Sequence, residues 1–233
     1  TWSVSDALGT IDADGTFTAV QTGRDVTGTL TVTYGETSCT LPVTVGSSQP
    51  FDDTKGHWAE SYITELYYAG TLQGSEKNGK LYYRPDASMT RQEFIVAMMR
   101  YLGTDLSAYA SVQLPFDDSG SIASWAKSAM QAAYQLGYLT GSKTNGKLLA
   151  KPGSTISRQE AMTILSRTKD FADADLNVLS AFSDSGKIAD WARTALAQMT
   201  QQKIISGSKG KLNPTGKVTR AEVAKMLYML SES

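Results

Sequence analysis

The chain has 233 residues, of which 41% are hydrophobic and 19% charged, and a formal net charge of −1. That apolar share excludes a disordered chain and suffices for one large domain or several small repeats. The charge balance excludes a whole-chain footprint for nucleic acid. The single cysteine, Cys39, excludes an internal disulfide and a cysteine-based metal cluster, and no apolar run is long enough for a membrane-spanning helix. No signal peptide is visible before Thr1, and the sequence reads as a fragment of a longer precursor.

Residues 1–46 are expected to form a small β segment. Thr29-Leu30-Thr31-Val32-Thr33-Tyr34 alternates and is rich in β-branched residues, and Asp14-Gly15 reads as a turn between short strands. Residues 1–49 hold one Arg against five acidic residues, whereas residues 50–233 hold 21 basic against 18 acidic ones, so the larger part is mildly basic. Asp12-Ala13-Asp14-Gly15 lacks the terminal acidic ligand of a calcium loop, because Gly23 stands there. Residues 47–50 are the linker.

Beyond the linker the chain repeats itself, with boundaries at 51–115, 116–181 and 182–233. Phe51-Asp52-Asp53, Phe116-Asp117-Asp118 and Phe182-Ser183-Asp184 each precede a Trp, and Trp58, Trp125 and Trp191 lie 67 and 66 residues apart. Gly74-Ser75, Gly141-Ser142 and Gly207-Ser208 follow at the same spacings. Pro85, Pro152 and Pro214 come next, each six residues before Arg91, Arg158 and Arg220.

Each repeat reads as helix, Gly-rich loop, helix. The first helix is expected to start at the Trp, with Trp58, Tyr62, Leu66 and Ala69 on one apolar face, as are Trp125, Ala129, Ala132 and Leu136. The second opens at Thr90, Ser157 or Thr219, with Phe94, Ala97, Met98 and Tyr101, or Val223, Leu227 and Leu230, as its buried stripe. Glu93, Glu160 and Glu222 stand three residues after those openings and complete a capping box.

The residue types allow two readings each. Arg91, Arg158 and Arg220 sit in a first helical turn, where a cation opposes the helix dipole. They either grip an anion beside the helix N-terminus or pair with a nearby Glu or Asp. The Trp residues are expected to pack in the core while offering a face to a sugar ring. Asp53, Asp118 and Asp184 serve as turn or cap residues or as acceptors for sugar hydroxyls. Gly74, Gly141 and Gly207 are expected to end the first helix in a left-handed conformation and to let a ligand approach the backbone. His57 has no metal-ligand or catalytic company, and no cofactor or catalytic residue is expected.

With these residues laid out, 51–230 resembles three S-layer homology modules. The pattern is Phe-x-Asp, Trp-Ala, a Gly-rich turn, Pro, and Thr90-Arg91-Gln92-Glu93, Ser157-Arg158-Gln159-Glu160 or Thr219-Arg220-Ala221-Glu222. Residues 1–45 resemble the second half of a bacterial Ig-like module, through Trp2-Ser3-Val4-Ser5, Gly9-Thr10-Ile11-Asp12 and Gly15-Thr16-Phe17-Thr18-Ala19.

The first resemblance implies a mainly α fold, with 51–230 as one compact unit whose Trp-led helices meet around a pseudo-threefold axis. It also implies grooves between repeats that bind an anionic, often pyruvylated secondary cell wall polysaccharide or peptidoglycan-linked glycan. The site residues so implied are Asp53, Trp58, Gly74, Arg91, Asp118, Trp125, Gly141, Arg158, Asp184, Trp191, Gly207 and Arg220. The protein is then a non-enzymatic anchor at the cell surface, with S-layer neighbours as further partners. The third repeat departs from the pattern: Lys203 replaces the Gly70 and Gly137 of the others and its loop is shorter, so Arg91 and Arg158 are expected to matter more than Arg220.

Overall fold

The computed structural model describes residues 1–232. They divide into two compact units, Thr1–Tyr83 and a second from Arg84 onward. The boundary cuts the first repeat, so 51–230 is not the single unit expected.

In the first unit, β-branched alternation produces an antiparallel sheet of β1 (Trp2–Val4), β4 (Val26–Tyr34) and β5 (Thr37–Val45), in the order β1-β4-β5. β2 (Gly9–Ile11) and β3 (Phe17–Ala19) form a separate hairpin around Asp12, whose carboxylate accepts the amides of Asp14 and Thr16. β5 is an edge strand, exposed along Thr37–Leu41.

The segment packs on α1 (Glu60–Tyr68) of the first repeat. Gly23 lies so close to Thr64 and Glu65 that a Cβ there would clash at 2.8 and 2.9 Å. Thr22 Oγ1 donates to Glu65 Oε1 at 3.2 Å, the hydroxyls of Ser48 and Tyr68 are 2.7 Å apart, and Thr64 Oγ1 donates to Gln49 Oε1 at 2.8 Å. The loop after α1 is a hairpin of β6 (Ser75–Lys77) and β7 (Lys80–Tyr82).

The second unit is organised by the N-termini of α2 (Arg91–Tyr101), α4 (Arg158–Leu165) and α6 (Arg220–Ser231). The three residues just before them close a ring of backbone hydrogen bonds: Met89 N to Val218 O, Val218 N to Ile156 O and Ile156 N to Met89 O. All three side chains are buried. Each helix then spends its first free amides on the turn of a neighbouring repeat. Arg91 and Gln92 donate to Ser154 and Pro152, Arg158 and Gln159 to Gly216 and Pro214, and Arg220 and Ala221 to Ala87 and Pro85. Those amides would otherwise be orphans at a buried helix end. The Pro–Arg spacing of six residues is what places a carbonyl there. Around this ring pack α3 (Lys127–Gln135) and α5 (Asp190–Gln201), against α2 and α4 respectively.

The structure corrects the sequence reading in four places. The fold is mixed α/β, not mainly α: 36% helix and 20% strand. The Gly-rich loops fold as hairpins, β6–β7 and β8 (Ser142–Thr144) with β9 (Lys147–Leu149), because Asn78-Gly79 and Asn145-Gly146 take the positive φ that tight turns demand.

The pseudo-threefold ring is built by the second helices, not by the Trp-led ones. Of the apolar faces expected on the Trp-led helices, Leu66, Ala129, Ala132, Ala195 and Met199 are buried, but the tryptophans are not core residues. Trp58 and Trp125 precede α1 and α3, Trp191 is in the first turn of α5, and the residue after each, Ala59, Ala126 or Ala192, is the buried one, which leaves the three tryptophans 55%, 58% and 57% exposed.

Candidate functional site

The motif arginines are struts. Arg91 Nη1 donates to Glu160 Oε1 at 3.1 Å and its Nε to Ala150 O at 2.9 Å. Arg158 Nη1 lies 2.7 Å from Glu222 Oε1, and Arg220 Nη1 lies 4.0 Å from Glu93 Oε1. Each Arg therefore reaches the Glu of a neighbouring repeat, and that same Glu caps its own helix, taking the amides of Thr90, Ser157 and Thr219 at 2.7, 2.8 and 3.0 Å. One carboxylate thus closes a capping box and an inter-repeat ion pair. The first amides of all three second helices already donate to a neighbouring repeat's turn.

The aspartates are staples. Asp118 takes the amides of Ala150 and Lys151 at 2.8 and 2.7 Å, Asp184 those of Leu212 and Asn213 at 2.9 and 2.8 Å, and Asp53 that of Tyr83 at 2.8 Å. Lys151 and Asn213 have φ of +52°, an unfavourable value for a residue with a side chain just before proline, and the carboxylate grip holds the turn there. Burial raises the Asp184 carboxyl's pKa, but the amides of Leu212 and Asn213 together with Lys187 outweigh it and leave the group below its ordinary value.

The glycines are close-approach positions. A Cβ on Gly74, Gly141 or Gly207 would lie 2.4, 2.6 or 2.7 Å from Cε1 of Phe51, Phe116 or Phe182. They do not end the first helix: that left-handed position falls at Gly70, Gly137 and Lys203.

Three of these residues meet in one place. A cavity of about 300 Å³ is lined by Arg91, Gly141 and Trp191, which come from three different repeats, and by Thr140, Ser142 and Arg167. Gln159 helps to set its geometry, because its Oε1 accepts the amide of Ala189 at 3.0 Å and so fixes the start of α5 and hence Trp191. Gln92 does the same for Ala123, ahead of Trp125.

Sequence reasoning missed Arg167. It lies just past α4, is exposed, and its Nη1 donates to Tyr138 O at 2.8 Å and Thr140 Oγ1 at 3.3 Å. Partial desolvation of its guanidinium where it lines the cavity, and then the positive charge of Arg91, push its pKa down. The signal was present in the repeats: Arg167 follows Arg158 by nine residues, as Arg100 follows Arg91, whereas Met229 stands nine after Arg220.

Repeats locked by a ring of backbone hydrogen bonds and ion pairs, with a cationic, Trp-walled cavity where three of them meet, define a repeat-built binding module. The chain belongs to the S-layer homology family, whose model matches residues 50–95, 115–162 and 181–224. Modules of this family anchor proteins at the cell wall, so the chain is a surface-associated, wall-binding one.

Relatives include an amylopullulanase of Thermoanaerobacterium thermosulfurigenes, 28% identical over 87% of this chain and 10% of that protein. An endoglucanase of Bacillus sp. (strain KSM-635) is 30% identical over 78% of this chain and 18% of its own length. The surface-layer 125 kDa protein of Lysinibacillus sphaericus is 27% identical over 78% of this chain and 15% of its own length. The chain thus spans less than a fifth of each of these relatives. Among the described residues no helix is long and apolar enough to cross a membrane.

Proposed function

We propose that the chain holds a larger secreted or surface-layer protein on the bacterial cell wall, non-covalently and without chemistry of its own. It does so by seating an acidic, pyruvylated unit of a secondary cell wall polysaccharide in grooves between repeats. One observation carries this reading: the cavity beside Trp191 combines an exposed indole, hydroxyls of Thr140 and Ser142, and two guanidinium groups against the single carboxylate of Glu160. An aromatic face suits a sugar ring, hydroxyls suit its polar edge, and an excess of positive charge suits a carboxylate.

The payload would lie outside this chain, as the short matched share of an amylopullulanase and an endoglucanase suggests. Residues 1–46 are then part of a bacterial Ig-like module joined through 47–50 to repeats 51–115, 116–181 and 182–233. The test is sedimentation with purified walls before and after the secondary polymer is stripped off. Binding lost on stripping supports the reading. Binding retained points to peptidoglycan itself, and binding only to walls that keep their surface proteins points to a lattice contact.

A further inference from the structure

The motif arginine is not the group best placed to meet an acidic ligand in the Trp191 cavity. Arg91 is 8% exposed, its Nε is committed to Ala150 O, and its Nη1 to Glu160. Its charge is offset by Glu160 and by the nearby carboxylate of Asp118. Diverting that guanidinium to a ligand would leave Glu160 without its counter-ion.

Arg167 differs on each count. It is exposed, uses only Nη1 on protein acceptors, and has no carboxylate within ion-pair distance among the described residues. Those two hydrogen bonds, to Tyr138 O and Thr140 Oγ1, hold it at the cavity it lines and leave Nε and Nη2 without a protein acceptor among the described residues. Arg91 and Arg167 repel one another across the cavity, so an anion there relieves a like-charge contact as well as forming new bonds.

We propose that Arg167 is the specificity residue of this groove: its free guanidinium edge takes the carboxylate of an acidic sugar while the ring lies against Trp191, and Arg91 is a positioning residue that holds the groove walls together. This rests on the carbohydrate reading given above. It also gives the inequality of the repeats a chemical cause. The position held by Arg167 in the second repeat is Arg100 in the first and Met229 in the third, so a groove that depends on the third repeat's copy lacks this cation.

The experiment is an NMR titration of the whole chain, following the Trp191 indole N–H, which a Trp191→Phe variant assigns. The probes are monomeric N-acetylmannosamine and its pyruvate ketal. The wild-type chain is expected to prefer the acidic sugar by about tenfold or more, the scale of one charge-assisted bond. In Arg167→Ala that preference should collapse towards unity at an unchanged melting temperature, and Arg167→Lys should restore part of it, since a lysine keeps the charge without the fork. Arg91→Met should lower the melting temperature and weaken both sugars together.

If Arg167→Ala keeps the full preference, or Arg91→Met removes the preference alone while still folded, the assignment is overturned and the wall-glycan reading stands. If the wild-type indole responds to neither sugar, that reading fails and takes the assignment with it.

Discussion

The second and third repeats show what this fold holds constant and what it lets vary. The second has a full hairpin, β8–β9, whereas the third is cut to a single bridge between Ser208 and Lys211. Yet both glycines, Gly141 and Gly207, press on a Phe, both aspartates hold two amides, and both second helices donate their first amides to a neighbour's turn. The constant part is the frame, where buried polar groups and close contacts leave no freedom. The variable part is the groove rim, where Arg167 faces Met229 in the alignment and Gly137 faces Lys203. Even the frame is less complete where the second repeat meets the third. At the junction of the first and second, Arg91 Nε has a carbonyl partner, whereas Arg158 Nε, which belongs to the second repeat and whose guanidinium pairs with Glu222 of the third, is buried without a hydrogen-bond partner among the described residues.

The comparison breaks most readily at the glycines. Gly141→Ala and Gly207→Ala should each cost about 2–4 kcal/mol in urea unfolding, summing a left-handed backbone and a Cβ driven into a Phe ring. A near-neutral Gly207→Ala would mean that the shorter loop relaxes and the frame is not shared.

Asp118→Ala and Asp184→Ala should each cost about 2–3 kcal/mol, because two amides lose a charged acceptor. Asp184 adds a pH test. Its folded pKa lies below its ordinary value, so its contribution is fully present above the ordinary carboxylate pKa and is lost as pH falls through the lowered one. Asp184→Asn should therefore flatten the acid limb of stability against pH, and an unchanged limb would remove the carboxylate from that role.

Arg91→Met should destabilise by about 2 kcal/mol, since Glu160 is partly open to water and the loss is softened. Arg220→Met should cost less, its ion-pair separation being 4.0 Å. The reverse order would show that distance does not rank these struts.

The smallest effect is expected at the end of α5. Lys203 holds φ of +58° where Gly137 stands in the second repeat, so Lys203→Gly should stabilise by up to about 1 kcal/mol. A loss on this change would mean that the lysine side chain has a role of its own.

The repeat itself was fully legible in the sequence. Markers at spacings of 67 and 66 residues fixed three units, and Thr90-Arg91-Gln92-Glu93 and its copies fixed the start of three helices, because capping is a local interaction between residues three apart. The β character of the first segment was legible too, since alternation is a local signal.

Only the tertiary structure decided which way the other side chains point and whom they meet. Trp58, Trp125 and Trp191 each stand one residue before a buried alanine, Ala59, Ala126 or Ala192, at the entrance to their helices, and in helical geometry one residue is about 100° of phase, enough to separate core from surface. Whether Arg91 meets a ligand or Glu160, 69 residues away, depends on how the repeats close into a ring, and the local sequence is compatible with both. The repeat spacing marks Arg167 as the counterpart of Arg100, but only the hydrogen bonds to Tyr138 O and Thr140 Oγ1 place it on the cavity rim, since a cation just past a helix end otherwise reads as a favourable dipole partner.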